Sequence, residues 1–258
     1  MLLWGFVVGL GMVAAAEDLP AITTRGTLRV LVAMDTQPEA ISLQEGTAPG
    51  LEREMLEGFA ALRRLKVEFI PVPLSADRIP ALLAGKGDVI AGGFAVSEER
   101  RKQVDFTSDV FRFRHVVVTR QPHPPVETLD ELRRLRVGTL KGSTWATTIA
   151  EVGVPHENID DSYAGAGDVL EALRQGKVGA LVMGSGWALA EMRRDPLLHL
   201  GLLIGPPVGR AWAVHKHAPQ LRQALDEYVS NMRKGASWSR LVVKYYGDIA
   251  LEVLKKGQ

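Results

Sequence analysis

IPALLAGKGDVIAGGFAVSEERRKQVDF, residues 79–106, decides the fold of this chain. Ile79, Leu82 and Leu83 have helical spacing, Gly85 and Gly87 stop the helix, and 88–91 is a short apolar strand running into Gly92 and Gly93. A second helix then starts, with Ser97 suited to cap it and Glu98 and Glu99 suited to its positive end. Arg100, Arg101 and Lys102 sit against that dipole, so they need another reason to be there. A strand that opens through glycines onto a helix start is where open α/β sheets bind ligands, and free amides beside an arginine favour an anion. A solvated charge run is the other reading, and the local sequence leaves both open.

On either side the same grammar repeats. Residues 28–33 and 67–72 read as strands flanking an amphipathic helix at 51–62, whose stripe is Leu51, Met55, Leu56, Phe59 and Leu62. This is the βαβ rhythm of a parallel sheet. After the turn-rich QPHPP at 121–125 come a helix at 129–135, a strand at 136–140, a turn at 141–144, a helix at 145–152 and, past Gly176, a strand at 178–183. The prediction is an α/β protein of two small lobes. Gly142, Ser143 and Thr144 follow a strand and open a helix as 92–97 does, so a ligand between the lobes would receive amides from both sides. Ser143 or Thr144 also reads as a plain helix cap. Lys-Gly order and the missing upstream glycine spacing exclude a nucleotide-binding P-loop.

With 258 residues, 46% hydrophobic and 24% charged, the chain can bury one large or two modest cores. A net charge of +1 with interspersed signs argues against a nucleic-acid surface. Absence of cysteine removes disulfides, thiolate metal sites, cysteine nucleophiles and a lipoprotein anchor. Residues 2–16 are apolar and uncharged and end in three alanines, the pattern of a signal peptide, although no Lys or Arg follows Met1. The mature chain is expected to begin near Glu17, or to keep the segment as an uncleaved anchor. Enzymatic signals are weak. Ser185 stands outside a nucleophile elbow, and no histidine is placed by sequence to activate it or Ser143. His215 and His217 read as a solvated pair, and the six histidines show no metal spacing. No catalytic residue, metal or cofactor is expected.

The 79–106 segment resembles the signature of the family 3 extracellular solute-binding proteins, the polar amino acid receptors of ABC transporters. The resemblance rests on Ile79 to Leu82, Asp88 to Ile90, Gly92 to Ala95, and Ser97, Glu99, Arg100, Val104 and Phe106. Val137, Gly138, Gly142, Ser143 and Thr144 match the second-lobe pattern, and Trp238, Leu241, Val242, Tyr245 and Gly247 the closing one. The resemblance implies a type 2 periplasmic-binding-protein fold with a ligand cleft between the lobes and a two-segment hinge. The boundaries expected are 1–16 signal peptide, 17–112 first part of lobe 1, 113–207 lobe 2 and 208–258 remainder of lobe 1, with crossings near 111–115 and 205–210. It further implies a monomer in the periplasm that closes on a small carboxylate-bearing solute and meets an ABC transporter permease. Arg100 inherits the grip on the ligand carboxylate, with Gly93, Phe94, Ala95, Gly142, Ser143, Thr144 and Trp145 around it.

Departures from the family pattern bear on the ligand. Where relatives carry an aspartate for the ligand ammonium this chain has Gly184, and a usual hydroxyl residue is Ala95. Glu39 or Asp77 is a candidate replacement, and either reads equally as a surface acid. Phe94, Trp145 and Trp187 are candidates to wall an apolar or planar ligand. The expectation is a site that prefers organic or aromatic carboxylates to zwitterions. Rival readings are an orphan sensor or accessory domain, a degenerate member that binds nothing, and a cleft dehydratase of prephenate-like acids.

Overall fold

The computed structural model describes residues 17–74, 77–140, 143–163 and 165–252. The expected signal segment and Gly142 lie outside them. In chain order the elements are α1 (Leu19–Arg25), β1 (Thr27–Ala33), α2 (Leu51–Leu62), β2 (Lys66–Val72), α3 (Arg78–Leu83), β3 (Val89–Ile90), α4 (Glu98–Arg101) and β4 (Val104–Phe106). They continue as β5 (Phe111–Arg120), α5 (Leu129–Arg133), β6 (Val137–Leu140), α6 (Thr144–Glu151), β7 (Ile159–Tyr163), α7 (Ala166–Arg174), β8 (Ala180–Gly184) and α8 (Ser185–Arg194). The last four are β9 (Leu198–Arg210), β10 (Ala213–His215), α9 (Pro219–Lys234) and α10 (Ala236–Tyr246).

Two five-stranded sheets result, ordered β2-β1-β3-β10-β4 and β7-β6-β8-β5-β9. The strands predicted from the βαβ rhythm pair in parallel, β1 with β2 and β3, and β6 with β8; β7, which the sequence reading did not include, pairs in parallel with β6 on its other side. The remaining strands make both sheets mixed. β10 returns antiparallel between β3 and β4, and β5 runs antiparallel to β8 and β9. One lobe is therefore built from both ends of the chain and the other from its middle. The two crossings are paired with each other: Phe111 opposes Arg210, Arg112 opposes Gly209 and Phe113 opposes Val208. This antiparallel ribbon is the two-segment hinge.

Each sheet is covered on both faces. On one face of the first sheet, Leu51, Met55, Leu56 and Phe59 of α2 pack with Leu221, Leu225 and Val229 of α9 and with Val242, Tyr245 and Tyr246 of α10. Leu62, the last residue of the predicted stripe, stays 77% exposed. Ile79 and Leu82 of α3 meet Leu31, Ile90, Phe94 and Phe106 on the other face. In the second lobe α7 and α8 cover one face and α5 and α6 the other. The caps follow the sequence. Ser97 Oγ accepts from Arg100 N at 3.3 Å, Ser143 Oγ from Ala146 N at 3.2 Å, and Thr128 with Glu131 forms a reciprocal capping box on α5. Among the described residues no helix is long and apolar enough to cross a membrane.

Helix α8 also ties the lobes together beside the ribbon. Arg194 pairs with Glu39, and Arg193 Nη1 donates to the carbonyls of Lys244 at 3.1 Å and Tyr245 at 3.0 Å. Basic groups on the last carbonyls of α10 are placed where the helix dipole favours them.

Candidate functional site

A cavity of about 670 Å³ opens between the lobes. Its first-lobe wall comes from the loop after β1, from α2, α3 and the turn after β3, and its second-lobe wall from the ends of β6 and β8 and the starts of α6 and α8. The hinge contributes Phe113 and Arg210, and α10 contributes Tyr246. Site and hinge thus share residues.

The first-lobe wall is dominated by one buried carboxylate. Glu52, the second residue of α2, is 2% exposed and accepts from Gly92 N at 2.9 Å, Gly93 N at 2.7 Å and the Trp212 indole Nε1 at 2.9 Å. Both glycines have positive φ, +85° and +67°, which turns successive amides toward the same acceptor. A Cβ on Gly92 would lie 2.7 Å from Thr36 Cγ2, so nothing larger fits that turn. The sequence predicted these amides free for a ligand. The fold instead fills them with the protein's own anion, because α2 starts directly beneath the turn.

Around Glu52 stand the cations. Arg78 is 4% exposed, donates to the carbonyls of Ala91 at 3.0 Å and Gly92 at 3.1 Å, and has its guanidinium 4.6 Å from the Phe94 ring centre. Burial, and after it the charge of Arg100, bring its pKa down to about 10. Arg210 lies at the end of β9, where it opposes Phe111 and bridges to Ala95. Burial and then Arg100 lower it likewise to about 10, so both guanidiniums stay charged at neutral pH. Among the described residues the Arg210 side chain has no hydrogen bond and no ion pair. An anion is what that position lacks.

The second-lobe wall is apolar. Trp145 at the start of α6 stacks on Trp187 in the first turn of α8, with ring centres 5.6 Å apart and planes 26° from parallel. Leu140, Gly165 and Gly184 complete that side, and Met34 and Leu74, 71% and 60% exposed, face it from the first lobe.

Of the residues picked from sequence, Gly93, Trp145, Gly184 and Trp187 line the cavity. Arg100 stands behind the wall, its guanidinium 4.3 Å from the Phe94 ring centre and its Nη1 donating to Ala95 O at 2.6 Å. Phe94 is core, 1% exposed and stacked on Phe106. Ser143 donates to Leu140 O at 2.7 Å, and Thr144 Oγ1 lies 3.4 Å from Nε2 of His115. Glu39 is committed to Arg194, and Asp77 accepts from Leu74 N at 3.0 Å. Sequence reasoning passed over Glu52, Arg78, Arg210, Phe113 and Tyr246. A polar residue one place into the α2 stripe, and an arginine between Gly209 and the apolar run 211–214, were the available signals.

His115 fastens the second-lobe wall to the hinge. It is buried on β5, its Nδ1 lies 2.9 Å from Thr148 Oγ1 on α6, and burial followed by the charge of Arg210 pushes its pKa down to about 4. The imidazole is neutral at physiological pH.

Comparison with known proteins agrees with this architecture. The profile of the bacterial extracellular solute-binding proteins, family 3, matches residues 28–248. The chain is 24% identical over 210 residues to the histidine-binding periplasmic protein of Escherichia coli strain K12, covering 78% of this chain and 80% of that one. It is also 24% identical over 256 residues to membrane-bound lytic murein transglycosylase F of Pseudomonas fluorescens, covering 95% of this chain but 52% of that protein, so it spans about half of that relative's length. Among solved structures, an ancestral arginine-binding protein bound to arginine superposes with a TM-score of 0.69 at 26% identity, over 86% of this chain and 99% of that one. With a profile match from the first strand to just past the last helix, two mixed α/β lobes and a cleft at their hinge, the chain belongs to the family 3 bacterial extracellular solute-binding proteins.

Proposed function

We propose that this protein captures a small carboxylate-bearing solute in the interlobe cleft and presents the closed form to the permease of an ABC-type importer. In this reading it works as a monomer in the periplasm after export through its apolar N-terminal segment. Lobe 1 is 17–112 with 208–258, lobe 2 is 113–207, and the ribbon between them bends as the ligand is enclosed. The observation that carries the reading is Arg210, a guanidinium on the cavity wall with no counter-ion among the described residues. Arg100 adds positive potential from behind Phe94, and Gly93, Ala95, Ser143, Thr144, Trp145 and Gly184 complete the proposed contacts. Relatives named for binding histidine and arginine support a solute of this size, since both amino acids carry a carboxylate.

The direct test is to denature the purified protein, identify any released small molecule by mass spectrometry, and screen carboxylates by thermal shift. A released or stabilising carboxylate supports the reading, because a ligand raises stability only as far as it binds the folded form. A released ligand with no acidic group contradicts it. The alignment with half of a lytic transglycosylase favours a second reading, an accessory domain that binds its ligand without a transporter. Unchanged uptake of the identified ligand in cells lacking the gene would decide for that one.

A further inference from the structure

The charges around the cleft do not balance. Arg78, Arg100 and Arg210 lie close enough to act on one another, and the carboxylates that oppose them are Glu52 from α2 and Asp35 from the loop after β1. Glu39 faces the same region but is paired with Arg194. Among the described residues one positive charge is left in excess. The excess has an address, because Arg78 is tied to the carbonyls of Ala91 and Gly92 and Arg100 to that of Ala95, whereas the Arg210 side chain has neither a hydrogen bond nor an ion pair among the described residues.

Among the described residues, the opposite side of the cavity brings no acidic group to a cation. Gly184, which opens α8, brings no carboxylate, and its neighbours on the wall are Leu140, Trp145 and Trp187. A zwitterion would therefore leave the excess charge uncompensated and bring an ammonium against indole rings without an acidic partner from that lobe. A dianion would overshoot. The glycine-turn amides that would otherwise take a carboxylate are filled by Glu52. We infer that the cleft takes an apolar monoanion, a carboxylic acid without an amino group, with its carboxylate on Arg210 at the hinge and its apolar, preferentially aromatic, body against Trp145 and Trp187. This rests on the solute-capture reading and specifies its ligand. Since Arg210 opposes Phe111 across the ribbon, an anion seated there also neutralises a cation on a segment that joins the two lobes.

The experiment uses the full-length exported protein and four probes of one shape: phenylacetate as monoanion, phenylalanine as zwitterion, phenylsuccinate as dianion and phenylacetamide as the neutral control. Binding is read by calorimetry and by the emission of the cleft tryptophans. Phenylacetate should bind about tenfold or more tighter than each of the others. Arg210→Gln should lose about tenfold or more of that affinity, more than Arg100→Ala loses, and Arg210→Lys should keep part of it. Ligand-free Arg210→Gln should melt at or above the temperature of the unmodified protein, because it removes a partly buried cation that has no ion pair among the described residues. That melt separates a lost contact from a lost fold, and the ranking of the four probes needs no variant at all. Preference for phenylalanine or phenylsuccinate, or undiminished phenylacetate binding by a folded Arg210→Gln protein, overturns the inference. Each of those results leaves solute capture standing. If no carboxylate of any kind is released from the protein or stabilises it, the capture reading falls instead.

Discussion

The two walls of the cleft were built on opposite principles. The first-lobe wall is charged, and its charged groups are bonded from within, with Glu52 holding the Gly92 and Gly93 amides and the Trp212 indole and with Arg78 and Arg100 bonded to nearby carbonyls, while the buried Thr36 hydroxyl has no hydrogen bond among the described residues. Among the described residues the second-lobe wall brings no charged side chain, only a stacked tryptophan pair beside a glycine that begins α8. Between them Arg210 belongs to neither. The difference teaches that an arginine in a cleft is not by itself a ligand contact. What the protein has already bonded is structure, and the group left without a partner is where a ligand gains most, since desolvation has been borne on folding and is compensated only on binding.

The sharpest way to break the comparison is to empty the first-lobe wall. Glu52→Ala should destabilise the ligand-free protein by about 3–5 kcal/mol, because three buried donors lose their acceptor at once and the surrounding guanidiniums lose a carboxylate. Chemical denaturation measures it, and a loss under about 1 kcal/mol would show that water replaces the carboxylate readily.

A pH series tests the join between the second wall and the hinge. The folded-state pKa of His115 lies below its ordinary value, so between about pH 6.5 and 4 the unfolded chain binds a proton that the folded one refuses. Stability is fully present above that window and is lost as pH falls through it, by an amount of the order of 2 kcal/mol once solvent screening is allowed for. Melting curves of the unmodified protein should slope through the window, and those of His115→Gln should slope less. Parallel slopes would remove His115 from the account.

Adding charge to the bare wall sharpens the contrast from the other direction. Gly184 has φ −66° and ψ 134°, and a Cβ built there meets nothing within 4 Å, so an aspartate fits without strain. Gly184→Asp should improve binding of amino acids by about tenfold, about 1.4 kcal/mol, and weaken binding of simple monocarboxylates. Calorimetry that moves both classes in the same direction would mean that the two walls do not divide the ligand between them. The smallest expected effect is at the rim. Arg194→Ala removes a half-exposed partner of Glu39 and should cost less than about 1 kcal/mol of stability by thermal denaturation.

Fold and site were legible to different depths. The 79–106 segment predicts α3, β3, the glycine turn and α4 with its Ser97 cap, because spacing, glycine and capping act within a few residues. The mixed sheets were less legible, since β10 enters between β3 and β4 from more than a hundred residues downstream and no local pattern records that pairing. At the site, Gly93, Trp145, Gly184 and Trp187 were found because they adjoin strand ends where open α/β sheets bind ligands. Glu52 was missed for a physical reason: a carboxylate one position off an apolar stripe ordinarily faces solvent, and only the docking of α2 under the glycine turn buries it at 2% exposure.

The alternating elements, the two-lobed division and the family are written locally in the chain, because they follow from periodicity, glycine placement and a motif read without gaps. The sequence by itself determined equally the absence of an acid at position 184. Only the tertiary structure decided which charges are spent. Arg78, Arg100 and Arg210 look alike in the chain, yet two are bonded to carbonyls and one stands at the cavity without a partner among the described residues. That distinction depends on the approach of α2 to the 92–93 turn and on the pairing of β5 with β9. Both are contacts between segments far apart in sequence, and the free energy of a charge is set by what surrounds it in space.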